Sequence, residues 1–248
     1  MAKRERIINV VKLPKNLKKA NVLVPVLVVL LVGAAFYIGR LTTELKFLKG
    51  GALPSDQAAP VDNSAELAKA VDRPSDGDHI RGNKDAKIAI IEYSDYQCPY
   101  CQQFHPVMQQ AVAELGDSIM WIYRHWPIEQ IHPFAMPAAI ASECVAELAD
   151  EDAFWTFTDT DFENQELLSL EQIDEWALAS GINAAQYETC KAASGTEDKV
   201  NADLQSGANA GIQGTPGSIV LNLDSGEVNI LPGAVSFEQV KAAVESFR

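Results

Sequence analysis

Glu92-Tyr93-Ser94-Asp95-Tyr96-Gln97-Cys98-Pro99-Tyr100-Cys101 joins an apolar run, Ile88-Ala89-Ile90-Ile91, to a segment of helical periodicity. The apolar run reads as a buried strand. The two cysteines, two residues apart in a Cys-Pro-Tyr-Cys motif, fall at the junction. A Cys-x-x-Cys where a strand hands over to a helix is the signature of a redox dithiol. Its spacing lets the sulfurs close a small ring across the first helical turn. Cys98 falls at the helix N-terminus, where unpaired N–H groups and the helix dipole favour a thiolate. Pro99 suits the first helical position, which needs no N–H donor.

Working outward, Phe104, Val107, Met108, Ala111, Val112 and Leu115 form one apolar helical face. Pro106 lies inside that helix and is expected to kink it, and Gly116 ends it. Ile119-Met120-Trp121-Ile122-Tyr123 reads as a second strand, so strand, helix and strand imply a parallel crossover. His79 to Gly82 reads as a short edge strand. From His132 to about Gly211 the pattern is helical, in segments beginning at Pro137, Ala153, Leu170, Ala184 and Glu197. Strands return at Gly217 to Leu223 and Glu227 to Leu231, a hairpin turning at Asp224-Ser225-Gly226. A last helix starts at Ser236, with Gln239 completing a capping box. Its buried face is Val240, Ala243, Val244 and Phe247.

The charge of the 248-residue chain is uneven. Residues 1–51 carry a net +8 and residues 52–248 a net −22, which together give −14. So acidic a globular part would repel phosphates, so no nucleic-acid partner is expected. Residues 1–19 are basic and read as a cytoplasmic tail. Residues 20–39 are uncharged and rich in Val and Leu. Twenty helical residues span about 30 Å, the thickness of a bilayer's hydrocarbon core. Pro25 near the start of such a span is tolerable. A cleaved signal peptide competes, with Gly33-Ala34-Ala35 as its site, but the apolar run continues to Ile38 and exceeds a signal core. An uncleaved transmembrane anchor is therefore expected, its positive flank cytoplasmic and everything after Arg40 extracytoplasmic, at the cell membrane. Residues 40–77 read as a linker, rich in Gly, Pro, Ala and Ser, and the globular domain is expected over 78–248.

The order of elements, with this motif at the first strand–helix junction, resembles the DsbA-like thiol–disulfide oxidoreductases. The features that carry the resemblance are Ile91 to Cys101, Pro106, Arg124-His125-Trp126-Pro127 with His132-Pro133, and Gly211-Ile212-Gln213-Gly214-Thr215-Pro216. The resemblance implies an α/β architecture, a thioredoxin-like fold with an inserted all-helical subdomain over about 132–211, here preceded by one transmembrane helix. It implies a cis Thr215–Pro216 bond facing the dithiol, and a backbone at Thr215 free to pair with an extended peptide. Pro99 and Tyr100 join Thr215 and Pro216 as expected substrate-binding residues.

The chemistry so implied is thiol–disulfide exchange, with Cys98 as the exposed reactive sulfur and Cys101 as the buried resolving one. Tyr100 brings no cationic partner for the thiolate. Glu92, six residues before Cys98, matches the family's acidic residue thought to aid proton transfer at the buried cysteine. A carboxylate in an apolar strand has a raised pKa, as such a shuttle needs. Cys144 and Cys190 lie where the family also has cysteines, and a structural disulfide between two insertion helices is expected; two buried free thiols are the other reading. His79, His105, His125 and His132 lack zinc-ligand spacing, so neither metal nor cofactor is expected, and His105 reads as a surface residue. Phe154, Trp155, Phe157 and Phe162 read as core. The activity expected is oxidation of cysteines in secreted proteins. A quinone-linked membrane partner, DsbB-like or vitamin-K-epoxide-reductase-like, would reoxidise the dithiol. A reductase or isomerase on the same fold, and a tethered binding or chaperone module with a merely structural disulfide, are the alternatives.

Overall fold

The computed structural model describes residues 70–247. The basic tail, the span expected over 20–39 and most of the linker lie outside these residues. No helix among the described residues is long and apolar enough to cross a membrane.

Five strands form one sheet: β1 (His79–Gly82), β2 (Ile88–Ser94), β3 (Ile119–His125), β4 (Gly217–Asn222) and β5 (Val228–Pro232), in the order β1-β3-β2-β4-β5. β2 runs parallel to β3, with Ile88 opposite Ile119 and Ser94 opposite His125. It runs antiparallel to β4, with Glu92 opposite Ser218. β1 and β5 are antiparallel edge strands. Every residue of β2 and β3 is buried. This explains the continuous apolar runs, since a central parallel pair covered on both faces has no side for polar alternation.

Period-two alternation sorts those residues between two cores. Ile88 and Ile90, with Ile119, Trp121 and Tyr123, face helix α1 (Pro99–Leu115) and helix α7 (Phe237–Glu245). Ala89, Ile91 and Tyr93, with Met120, Ile122 and Ile219, face the other way, onto Val71, Ala210 and Ile212. Glu92 therefore projects to the α1 side, where the dithiol lies.

Helix α1 runs unbroken through Pro106 to Leu115, and Gly116 ends it at φ 51°. Its buried stripe is Cys101, Phe104, His105, Met108 and Ala111. Each large apolar side chain so buried contributes about 1.5–3 kcal/mol. His105 corrects the sequence reading. It is not on the surface but 2% exposed, bonded to Asp159 at 2.7 Å. Spacing of four from Cys101 places it inside the buried stripe rather than beside it.

The insertion is five helices: α2 (Ala135–Leu148), α3 (Glu151–Glu163), α4 (Leu170–Ala179), α5 (Ala184–Lys191) and α6 (Ser194–Asn209). Three begin at side-chain caps, where Asp150, Ser169 and Asn183 accept from Ala153, Gln172 and Ala185 backbone N–H groups. Ala138, Ala139 and Ala141 of α2 are buried, as are Phe154, Trp155, Phe157 and Phe162 of α3. Cys144 on α2 and Cys190 on α5 are joined in a disulfide. The box expected at the last helix is present, Ser236 with Gln239.

The domain begins before Asp78, where the linker was expected to end. Val71 is buried in the second core, and Arg73 donates to the Leu223 carbonyl. Arg124 gathers this segment, pairing with Asp78 at 2.7 Å and donating to the Asp72 carbonyl and the Tyr93 and Ser206 hydroxyls, each at 3.1 Å.

Candidate active site

The turn between β2 and α1 is held by its own side chains. Asp95 accepts from the Gln97 N–H at 2.8 Å and its carbonyl from the Cys98 N–H at 3.0 Å. Its other carboxylate oxygen bonds the Ile128 N–H and His132 Nδ1, both at 2.8 Å. Gln97 accepts from the Phe134 N–H, and Gln165 donates to the carbonyls of Tyr96 and Cys98. The helical insertion thus grips the backbone that presents the dithiol. Sequence reading singled out none of Asp95, Gln97 or Gln165. Asp95 alone carried a signal, being an Asx residue two positions before a turn N–H.

Cys98 caps α1 in an extended conformation (φ −78°, ψ 121°), with Pro99 as the first helical residue. Both thiols are free. Cys98 is 4% exposed and Cys101 0%. The reactive sulfur is thus less open than expected, though it remains the more accessible of the two. The Thr215–Pro216 bond is cis, and the Cys98 Sγ lies 3.5 Å from the Thr215 carbonyl oxygen. Gly217 follows so tightly that an added Cβ would meet Ile212 at 2.8 Å and the Gly214 oxygen at 2.9 Å. A mainly apolar groove of 360 Å³ runs along Gly211 to Gly217 and Ile230 to Gly233, beside this proline. Pro99 is exposed, and Tyr100 is 61% exposed at the surface of the motif.

The two thiols differ in acidity. A hydrogen bond from the Cys101 thiol, aided by the backbone N–H groups of Cys101 and Tyr100, brings Cys98 down to about 5 against its burial. Burial, then the neighbouring Cys98 and Glu92 charges, push Cys101 well above the ordinary thiol range. Glu92 is fully buried, and burial raises it to about 7. One of its oxygens accepts from Trp121 Nε1 at 2.9 Å, while Oε1 has no protein partner. Trp121 is itself fixed by Trp155 and His105, at 4.8 and 5.2 Å between ring centroids. Cys98, Cys101, Glu92, Thr215 and Pro216 therefore form one site. Cys144 and Cys190 belong instead to the packing of the insertion.

The reduced protein should be alkylated by iodoacetamide at Cys98 alone, with a midpoint near pH 5. A midpoint near 9 would mean that the thiolate gains nothing from its surroundings. With the folded pKa lowered below the unfolded value of about 8.5, the reduced chain gains stability as pH rises from about 5 toward 9. It loses that gain as pH falls through about 5.

A family model described as Thioredoxin matches residues 74–245. The fold is shared with the crystal structure of Pseudomonas aeruginosa DsbA2 (TM-score 0.59, 20% identity, 71% of this chain and 97% of that one). It is shared equally with the catalytic domain of Proteus mirabilis ScsC (TM-score 0.59, 23% identity, 73% and 94%). Among curated proteins, the Na(+)/H(+) antiporter NhaA 1 of Mycolicibacterium gilvum is 35% identical over 111 residues, 45% of this chain and 18% of the antiporter. The chain thus aligns with under a fifth of the length of that curated relative.

Proposed function

The chain belongs to the thioredoxin family, and on that premise we propose that it is a thiol–disulfide oxidoreductase working as a dithiol oxidase. One observation carries the reading: Cys98 is favoured as a thiolate at a helix N-terminus, against a cis-proline, while its partner Cys101 is buried and held protonated. Stabilising the reduced form in this way makes the disulfide form an oxidant.

The reaction starts from the Cys98–Cys101 disulfide. A substrate thiolate attacks Cys98 Sγ, the bond to Cys101 breaks, and Cys101 leaves with the electron pair. Glu92, near 7, supplies the proton that the buried Cys101 takes up. A second substrate thiolate attacks the substrate's own sulfur in the mixed disulfide and displaces Cys98 as a thiolate. The substrate leaves with a new disulfide, two electrons and two protons poorer. An extended segment alongside Thr215 and the neighbouring groove would position the first sulfur.

The substrates proposed are secreted proteins in an extracytoplasmic space. The basic residues 1–19 followed by the uncharged residues 20–39 support a membrane tether with the domain outside. A dithiol oxidase must be reoxidised, and a quinone-linked membrane thiol oxidase is the partner proposed. Transport is not proposed for this chain, since its match covers 18% of the antiporter.

The test is the reduction potential of Cys98–Cys101, equilibrated against glutathione. A value toward about −120 mV is expected of an oxidase. A value near about −270 mV would reverse the direction and require an electron donor instead.

A further inference from the structure

His79 on β1, His125 at the end of β3 and Glu143 on α2 bring three donor atoms within 4.8 Å of one another. His79 Nε2 is 3.3 Å and His125 Nε2 3.0 Å from the same Glu143 oxygen. Zinc bonds of about 2.0–2.1 Å in tetrahedral array set ligand atoms about 3.3 Å apart. Both histidines are buried, at 5% and 0% exposure. Nothing in the exchange chemistry uses them.

The orientation of His79 points to a ligand. Its Nε2 is buried and makes no hydrogen bond, although a carboxylate oxygen lies 3.3 Å away. That separation is long for an N–H···O bond and matches the spacing of two ligand atoms on one shared ion. Behind the ring, Nδ1 lies 3.0 Å from Glu151, whose other oxygen accepts from the Ile80 N–H at 2.9 Å. A carboxylate behind an imidazole is the usual support of a metal-bound histidine, fixing the proton on Nδ1 and freeing Nε2. Phe154 stacks on the ring at 3.5 Å and holds its plane. A cavity of 310 Å³, lined by Glu143, Glu147, Thr196 and Lys199 among others, reaches the carboxylate from the solvent side.

We propose that His79, His125 and Glu143 bind a divalent transition-metal ion of the zinc type, with water as fourth ligand. Imidazole and carboxylate donors without thiolate suit zinc, cobalt, nickel or copper(II) rather than magnesium or calcium. The ligands come from two strands and an insertion helix, so the ion would clamp the insertion to the sheet. Lys199 is the competing cation. Its Nζ lies 3.4 Å from the same Glu143 oxygen and 3.0 Å from Asp203, toward which it must withdraw.

The test uses the chain with Cys98–Cys101 oxidised, so that the dithiol cannot ligate. Zinc titration should show one equivalent bound. His125→Ala and Glu143→Gln should abolish it, Glu151→Gln should weaken it about 10–100-fold, and Lys199→Met should strengthen it. Cobalt bound to the unsubstituted chain should give the intense visible bands of a four-coordinate site, a reading that needs no variant to fold. Absence of saturable zinc binding overturns the proposal and leaves His79 as a cation bridging Glu143 and Glu151. Binding with weak, octahedral cobalt bands, unmoved by Glu151→Gln and Lys199→Met, overturns it too, as surface adsorption.

Discussion

Replacing Cys98 with alanine should reduce thiol–disulfide exchange to the assay background, measured as disulfide formation in a reduced unfolded protein by the pre-oxidised chain. No other described sulfur can stand in. Cys101 has no exposed surface, and burial holds it as a thiol. Cys144 and Cys190 are bonded to each other. With its pKa near 5, Cys98 is almost wholly thiolate at pH 7; an ordinary cysteine near 8.5 is a few per cent thiolate. The contrast is therefore between a group built to leave and attack as an anion and one that is neither reachable nor charged. Cys101→Ala should behave differently. It cannot form the Cys98–Cys101 disulfide and so should oxidise no reduced substrate. Its Cys98 thiolate should still attack a disulfide-bonded substrate and displace one substrate thiolate. With no Cys101 to expel the substrate again, the mixed disulfide should accumulate, visible as a mass adduct on Cys98. Retained turnover in Cys98→Ala, or an adduct on any other cysteine, would sink the mechanism.

The dithiol was legible because its chemistry is local: two cysteines, a proline at the first helical position and an apolar strand before them lie within fourteen residues. The strand order was also within reach, since a parallel crossover followed by a hairpin leaves few arrangements. Glu92 was reached through the family resemblance, as the acidic residue six positions before Cys98, and period two in the strand explains why it faces the dithiol. The residues that grip the motif were not found, because Gln165 reaches Tyr96 from an insertion almost seventy positions away. His105 was misplaced for a related reason. Helical spacing puts it in the buried stripe, but only Asp159, from another helix, explains why a histidine is tolerated there. The His79–His125–Glu143 cluster was invisible in sequence, because metal spacing rules describe ligands close along the chain and these are spread over sixty-four positions.

Replacing both Cys144 and Cys190 with alanine should cost about 4 kcal/mol of folding stability, from the entropy of an unfolded chain no longer closed into a loop, here one of 46 residues. The melting temperature should fall by about 8–16 °C. That is a large part of the about 5–15 kcal/mol that holds a typical domain together. The loss should concentrate in the insertion. Helix α5 has only eight residues and buries only Tyr187 and Cys190, so the bond is a large share of what holds it in place. The dithiol should survive, because the insertion grips it through Gln97 and Gln165 rather than through α5. Native-state hydrogen exchange would show this as faster exchange across 184–191 with the Cys98 thiolate pKa unchanged. The bond must also resist the chemistry its own domain performs. Cys144 is fully buried, and Cys190 is 7% exposed with the Glu147 carboxylate 3.7 Å from its sulfur. An approaching thiolate therefore meets steric cover at one sulfur and a like charge at the other. Mild glutathione should accordingly reduce Cys98–Cys101 while leaving Cys144–Cys190 intact. An unchanged melting temperature in the double variant, or simultaneous reduction of both bonds, would show that the second disulfide is not a structural one.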